Sequence, residues 1–246
     1  MNILENKTVI ITGGTSGIGA ACAELLAKNG ARVVIVGRNE VNGNEIESCI
    51  NRAGGIAKYL RCDVTIESDV IQMIDSAVDE YGSIDILINN AGVFLPSVEI
   101  EQLDYQDWKK TIDVNVNGYF LVTKYAKPHL LKSKGVILNN ASIAGMHSYA
   151  AGRSYAYSAS KAAIIQFTRM MAKNYAEEGI RVNCISPGII MTPILHGRDP
   201  QIYEKRIPLG RVGSPEDVAK VALFLVSNES AYLTGVNIPI DGGTSL

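Results

Sequence analysis

The chain has 246 residues, 47% of them hydrophobic, enough to bury the core of one α/β domain. Its 23 basic and 25 acidic residues are interspersed and leave a net charge of −2, so nothing points to nucleic acid as a partner. No apolar run approaches the length needed to cross a bilayer, which excludes a helical membrane span.

Met1 to Gly14 does not read as a signal peptide. It lacks a basic start, carries Glu5 early and runs straight into a strand and a glycine-rich turn. The expected location is therefore cytoplasmic, and the sequons Asn6-Lys7-Thr8 and Asn228-Glu229-Ser230 read as chance matches. Cys22, Cys49, Cys62 and Cys184 form no CxxC pair and read as buried reduced thiols. His129, His147 and His196 form no HExxH motif, and no metal site is expected.

Val9-Ile10-Ile11 reads as the first buried strand, being short, β-branched and bounded by a turn. Thr12-Gly13-Gly14-Thr15-Ser16-Gly17-Ile18-Gly19 follows and opens an amphipathic helix, Ile18–Asn29. In a strand–turn–helix context such glycines permit positive φ and close approach of a phosphate. The helix start then offers free N–H groups and a positive dipole end. A tight βα turn needing glycine only for steric reasons is the alternative; Gly13, Gly17 and Gly19 together in this context favour the phosphate. No Gly-Lys-Ser/Thr ending follows, so this is not a nucleoside triphosphate loop. The expected contacts are Gly13, Thr15, Ser16, Gly17, Ile18 and Gly19.

Val33–Val36 is the second strand. A carboxylate just after it would bind an adenosine ribose 2′-OH and repel a 2′-phosphate. The chain has Gly37-Arg38 there, and a guanidinium suits phosphate. The preferred cofactor is accordingly NADP, with NAD as the alternative; Arg38 stacked on adenine or in solvent is the competing reading. After the helix Glu40–Ala53, a third strand ends at Asp63-Val64. There Asp63 could accept from an adenine amino group or cap the next helix, Ser68–Tyr81. Ile84–Ile88 is the fourth strand and Tyr105–Leu131 one long helix. Val136–Leu138 is the fifth strand, Ser158–Glu178 a helix and Val182–Ile185 the sixth strand.

Tyr157 and Lys161 stand four apart at the start of that helix, one turn apart on one face. A neighbouring ammonium lowers a phenol's pKa from its usual value near ~10, so the pair suits proton transfer near neutral pH. Taken alone, it reads equally as a half-buried ring beside a solvated lysine. Residues 188–211 break the rhythm with Gly188, Pro193, Pro200, Pro208 and Gly210, and read as a substrate lid or binding loop. Ser214 then caps a helix starting at Pro215, and Asn237–Ile240 is the last strand. The alternation implies one α/β domain over 1–246, a doubly wound (Rossmann-like) parallel sheet with helices on both faces.

Taken together the motifs resemble the short-chain dehydrogenase/reductase family over essentially the whole chain. The glycine turn is similar to TGxxxGxG, Asn89-Asn90-Ala91-Gly92 to NNAG, and Tyr157 and Lys161 to YxxxK. Asn115 and Ser142 stand where the family has its catalytic Asn and Ser. Pro187-Gly188 and Thr192 resemble the segment that holds the nicotinamide carboxamide. The resemblance implies catalysis by Asn115, Ser142, Tyr157 and Lys161. It also implies cofactor contacts from Asn90, Ala91, Gly92, Val64, Asp63, Arg38, Pro187, Gly188, Ile190, Thr192, Tyr157 and Lys161.

The implied reaction is hydride transfer between a nicotinamide and a carbonyl or secondary alcohol. Tyr157 would give or take the proton, Lys161 would lower the Tyr157 pKa, and Ser142 would bond the substrate oxygen. The Asn115 carbonyl would hold a water linking Lys161 to solvent.

Two departures bear on substrate. The stretch from Ser142 to Tyr157 is longer than usual and contains Tyr149 and Tyr155, but only Tyr157 has a Lys four residues on. The extra residues, His147 to Gly152, would reshape the pocket rim. Secondly, Val93-Phe94-Leu95-Pro96-Ser97 replaces the Arg-Asp pair usual in the acyl-carrier-protein reductases, which favours a small or hydrophobic free carbonyl substrate. A 3-oxoacyl-(acyl-carrier-protein) reductase and a hydroxysteroid or polyol dehydrogenase are the alternatives, and a dinucleotide-binding redox sensor is the non-enzyme alternative. Apolar residues on several faces of the two long helices, with the family's habit of pairing them, imply a homotetramer.

Overall fold

In this computed structural model, residues 3–95, 98–147, 154–195 and 199–246 are described. Seven strands form one parallel sheet: β1 (Thr8–Thr12), β2 (Arg32–Gly37), β3 (Ile56–Arg61), β4 (Ile86–Asn89), β5 (Val136–Asn140), β6 (Arg181–Pro187) and β7 (Asn237–Ile240). Their order is β3-β2-β1-β4-β5-β6-β7. Every adjacent pair is parallel, with Val9 beside Val33 on one flank of β1 and beside Ile86 on the other. Strand order thus reverses between β1 and β4, and a doubly wound sheet opens its ligand crevice at that point.

The connecting helices α1 (Gly17–Lys28), α2 (Glu40–Arg52) and α8 (Pro215–Val226) cover one face, and α3 (Glu67–Tyr81), α5 (Gly118–Ser133) and α6 (Tyr155–Tyr175) cover the other. Alternate residues of each strand feed the two cores. Val9 and Ile11 pack with Leu26 and Leu225, whereas Ile10 packs with Ile74, Val122 and Leu130. Because both faces are covered, all five residues of β1 are buried, which is why the central strands read as unbroken apolar runs.

β3 shows no such run. Among the described residues it is an edge strand paired only with β2, and its exposed Ile56 and Arg61 mix polar and apolar positions. The fourth strand begins at Ile86 rather than Ile84, although Ile84 is buried just before it.

The single helix expected over Tyr105–Leu131 is two. α4 (Tyr105–Ile112) passes through a π turn at Asp113–Asn117 before α5, with the amide at position 118 donating to the Asp113 carbonyl. Gly118 sits tight on Val64; a Cβ there would lie 2.7 Å from Val64 Cγ2. The long periodic pattern hides this break because a π turn adds one residue without interrupting the helix.

Within 188–211, a short turn at Pro193–Leu195 precedes α7 (Gln201–Glu204), and an isolated bridge joins Ile190 to Gly213. Residues 196–198, including His196, lie outside the described residues, as do Pro96, Ser97 and 148–153 with Tyr149. Among the described residues no helix is long and apolar enough to cross a membrane.

α8 begins with a capping box. Ser214 Oγ accepts from the Asp217 amide at 3.3 Å, and Asp217 Oδ2 accepts from the Ser214 amide at 2.9 Å. Arg211 also binds Asp217, at 2.6 Å. These bonds satisfy N–H groups that the helix leaves open. Ser214→Ala should cost about 1 kcal/mol and lower the melting temperature by roughly 2–4 °C. Thermal unfolding followed by circular dichroism checks this, and an unchanged midpoint would mean that the cap is idle.

Candidate active site

Past the C-terminal ends of the strands lies a cavity of about 590 Å³, reaching from Arg38 to Tyr157. Its floor is the glycine turn. Gly13 (φ +64°) and Gly17 (φ +52°) hold backbone conformations that side chains disfavour. Gly19 does not line the cavity but packs beneath it; a Cβ there would lie 2.2 Å from the Gly13 carbonyl oxygen. Ser16, the N-cap of α1, makes no side-chain cap bond, and the first turn of α1 carries no acid. The positive end of the helix therefore meets no acidic side chain from its own first turn. Thr15 and Ile18 border the same floor, and Thr192 leans over Gly17 from the far wall.

Asn90 binds this turn to the neighbouring strand. Its Nδ2 donates to the carbonyls of Thr12 at 3.0 Å and Gly13 at 3.1 Å. Thr12 Oγ1 in return accepts from the amides of Asn90 and Ala91. Ala91 and Gly92 continue along the cavity wall, with Pro187, Gly188 and Ile190 opposite.

At the far end Arg38 Nη1 lies 3.6 Å from Asp63 Oδ2, and its side chain is 60% exposed. A side chain at Gly37 would have to displace Thr15, since a Cβ would fall 2.7 Å from Thr15 Cγ2. Asp63 does not cap α3, whose N-cap is Ile66. It instead accepts from the Thr65 amide and hydroxyl, closing a small local turn. Burial alone would raise the Asp63 pKa, but the Thr65 hydrogen bonds and Arg38 outweigh it and hold the carboxyl below its ordinary value. Val64 lines the wall beside it.

At the inner end, Ser142 follows β5, and its Oγ accepts from the Ala144 amide at 3.1 Å. Tyr157 rises from the first turns of α6 and lies edge-on to Phe94, with ring centroids 4.9 Å apart at 83°. Lys161, one turn on, is 3% exposed and donates from Nζ to the Asn140 carbonyl at 2.7 Å. Tyr119, fully buried on α5, donates to that same carbonyl at 2.9 Å.

Asn115 is buried behind the cavity rather than lining it. Its amide clasps Val93, accepting from the Val93 amide at 2.8 Å and donating to the Val93 carbonyl at 3.0 Å. Its Nδ2 also reaches Ser160 Oγ at 3.1 Å, and that hydroxyl donates to the Tyr157 carbonyl. Tyr155, at the start of α6, is 40% exposed.

A family model described as enoyl-(acyl carrier protein) reductase matches residues 13–245. The chain belongs to the short-chain dehydrogenase/reductase family. It is 40% identical, over 100% of its length and 98% of the other's, to the 2,5-dichloro-2,5-cyclohexadiene-1,4-diol dehydrogenase LinX of Sphingobium indicum. It is 39% identical to the 3-oxoacyl-(acyl-carrier-protein) reductase FabG of Chlamydia pneumoniae, covering 98% of this chain and 97% of that one. The crystal structure of gox2181 superposes with a TM-score of 0.95 at 32% identity, covering 99% of this chain and 98% of that one. This short-chain dehydrogenase/reductase is accordingly an oxidoreductase acting on CH–OH groups, in a family that uses NAD(P).

The electrostatics of the Tyr157–Lys161 pair differ from the simple expectation of a lowered phenol. Burial raises the Tyr157 pKa, and a hydrogen bond with Ser142 only partly offsets it. The Lys161 ammonium lies 5.6 Å from the centroid of the Tyr157 ring and binds the Asn140 carbonyl. Desolvation therefore outweighs the Ser142 hydrogen bond at the phenol. At Lys161 burial works the other way and lowers the pKa from 10.5 to about 8.

Asn140 and Tyr119 were not among the residues marked by sequence reasoning. The available signal was the Asn139-Asn140 doublet, which repeats Asn89-Asn90 at the end of the adjacent strand.

Between about pH 8 and 10.5, unfolded Lys161 holds a proton that the folded lysine has released. Stability relative to a Lys161→Met variant should therefore rise with pH across that window and stay level below it. Urea melts of both proteins at several pH values measure the gap. A wild-type stability that does not rise relative to the variant above pH 8 would show Lys161 titrating at its ordinary value.

Proposed function

We propose that the protein is an NADP(H)-dependent oxidoreductase that interconverts a ketone or aldehyde and its alcohol, with Tyr157 as proton donor and acceptor. The observation carrying this reading is the convergence of Ser142, Tyr157 and Lys161 at the inner end of a cavity whose outer end holds Arg38. When bound, the nicotinamide supplies or takes the hydride. The glycine turn, Asn90, Pro187, Gly188, Ile190 and Thr192 would hold the dinucleotide. The positive-φ glycines and the uncompensated start of α1 fit its pyrophosphate.

In reduction, the Tyr157 hydroxyl gives its proton to the carbonyl oxygen as negative charge develops there. Ser142 donates to the same oxygen. Lys161, charged below about pH 8, stabilises the phenolate that results. Asn115 keeps the wall in register by clasping Val93 and, through Ser160, the backbone of Tyr157.

Two features support NADP over NAD. Arg38 is exposed at the ribose end, and Thr15 fills the space that an acidic side chain at position 37 would need. The 188–211 segment acts as a lid, with Leu195 and Tyr203 lining the cavity from it. Phe94 beside Tyr157 favours a hydrophobic free carbonyl compound or alicyclic alcohol, the kind of substrate named for LinX. The FabG likeness at nearly equal identity supports a second reading, reduction of a carrier-bound 3-oxoacyl group.

A panel of ketones, aldehydes, cyclic alcohols and a 3-oxoacyl thioester, assayed with NADPH and NADH, tests the function. NADPH should be preferred, and Arg38→Asp should abolish that preference. Tyr157→Phe should lower turnover by roughly 10²–10⁴-fold while NADPH still binds. Near-wild-type turnover in that variant would remove Tyr157 from the mechanism.

We also propose a cytoplasmic homotetramer assembled with two-fold symmetry. Phe120 on α5 and Met170 on α6, 50% and 51% exposed, are apolar side chains suited to a paired-helix contact. Light scattering should return four times the 26.5 kDa chain mass; a monomeric mass at working concentration would refute the assembly.

A further inference from the structure

Two asparagine doublets end neighbouring strands, and each residue of one doublet bonds its counterpart in the other. The inner pair ties the sheet to its helices. Asn89 Nδ2 donates to Asn139 Oδ1 and to Thr123 Oγ1, each at 3.0 Å, and Asn139 Nδ2 donates to Thr168 Oγ1 at 2.9 Å. The outer pair stands at the cavity. Asn140 Nδ2 donates to Asn90 Oδ1 at 2.7 Å, and Asn90 Nδ2 in turn holds the Thr12 and Gly13 carbonyls.

A primary amide has one acceptor end and one donor end. With its oxygen engaged by Asn140, the Asn90 amide must turn its NH₂ toward the glycine turn. The reverse orientation would set oxygen against the carbonyls of Thr12 and Gly13. The Asn140 Nδ2 thus holds the Asn90 oxygen that remains once the Asn90 NH₂ has taken the Thr12 and Gly13 carbonyls. Among the described residues Asn140 Oδ1 has no hydrogen-bond partner, and a buried acceptor left so is destabilising. A side chain kept there for stability alone would be better apolar.

We propose that Asn140 is a positioning residue for the dinucleotide, acting through Asn90 to hold the glycine turn in its anion-binding shape before the ligand arrives. Preorganisation of this kind lowers the ordering cost of binding. The inference rests on the assignment of the glycine turn as the dinucleotide site. The same residue offers its carbonyl to Lys161, so the phosphate-binding turn and the catalytic lysine share one anchor at the end of β5.

The test is NADPH titration of the purified protein by calorimetry, together with melting of the ligand-free protein. Asn140→Leu, close in shape, should raise the NADPH dissociation constant about fivefold without lowering the ligand-free melting temperature. Asn139→Leu, which breaks the inner pair, should lower the melting temperature and leave the dissociation constant within about twofold. In an Asn90→Ala background, adding Asn140→Leu should change binding by less than about twofold, because the path is already cut. Asn140→Ala removes the same donor and replaces the leucine variant if the larger side chain disturbs folding. A wild-type affinity in both Asn140 variants overturns the proposal. So does weaker binding that comes only with a lower melting temperature, or losses that add in the double variant. Wild-type protein that binds neither NADPH nor NADH would instead overturn the assignment of the glycine turn itself.

Discussion

The hydrogen bonds between the end of β1 and the end of β4 hold the site together. Beyond the last ladder bond a strand's amides and carbonyls lose their sheet partners, and buried backbone groups must find others. Here they are met by side chains, with Thr12 taking the Asn90 and Ala91 amides and Asn90 taking the Thr12 and Gly13 carbonyls. This exchange fixes the separation of the two strands where their order reverses. It also shapes the glycine turn and sets the line of Ala91 and Gly92 along the cavity wall. Gly19 belongs to the same constraint, since its missing side chain is what lets α1 start directly beneath the Gly13 carbonyl.

A second tension concerns charge. Lys161 is buried among Tyr157 on its own helix, Tyr119 on α5 and Cys184 on β6, and its ammonium has been taken out of water. The Asn140 carbonyl and the faces of two aromatic rings provide partial compensation. The balance leaves a lysine that titrates near 8, beside a phenol whose own ionisation is disfavoured by burial. Perturbations of this kind are concentrated where proton transfer is carried out.

The two ends of the cavity follow different rules. The outer end is built from backbone geometry and from the exposed pair Arg38 and Asp63, and would recognise phosphate, ribose and adenine by charge and hydrogen bonding. The inner end combines a compact polar set with Phe94, Leu195 and Tyr203, which would select by shape and apolar contact. One fold serves many substrates by changing the site it carries, and this chain is about equally similar to a cyclic diol dehydrogenase and to a carrier-protein reductase.

Much of this was legible in the residue order. Short β-branched runs alternating with amphipathic stretches determine a parallel sheet, because only burial on both faces makes such runs stable. The glycine turn, the NNAG segment and the Tyr157–Lys161 spacing are local patterns that can be read from sequence neighbours. The edge strand β3 was not legible as an apolar run, since a strand paired on one side mixes polar residues with apolar ones. Nor was the π turn, because it leaves the helical periodicity almost intact. The roles of Tyr119 and Asn140 depend on contacts between residues 21 and 50 positions apart, and no local pattern encodes such contacts. The direction of the Tyr157 shift was likewise decided only in three dimensions. Sequence spacing places an ammonium near a phenol, whereas the depth of burial around both decides which effect prevails.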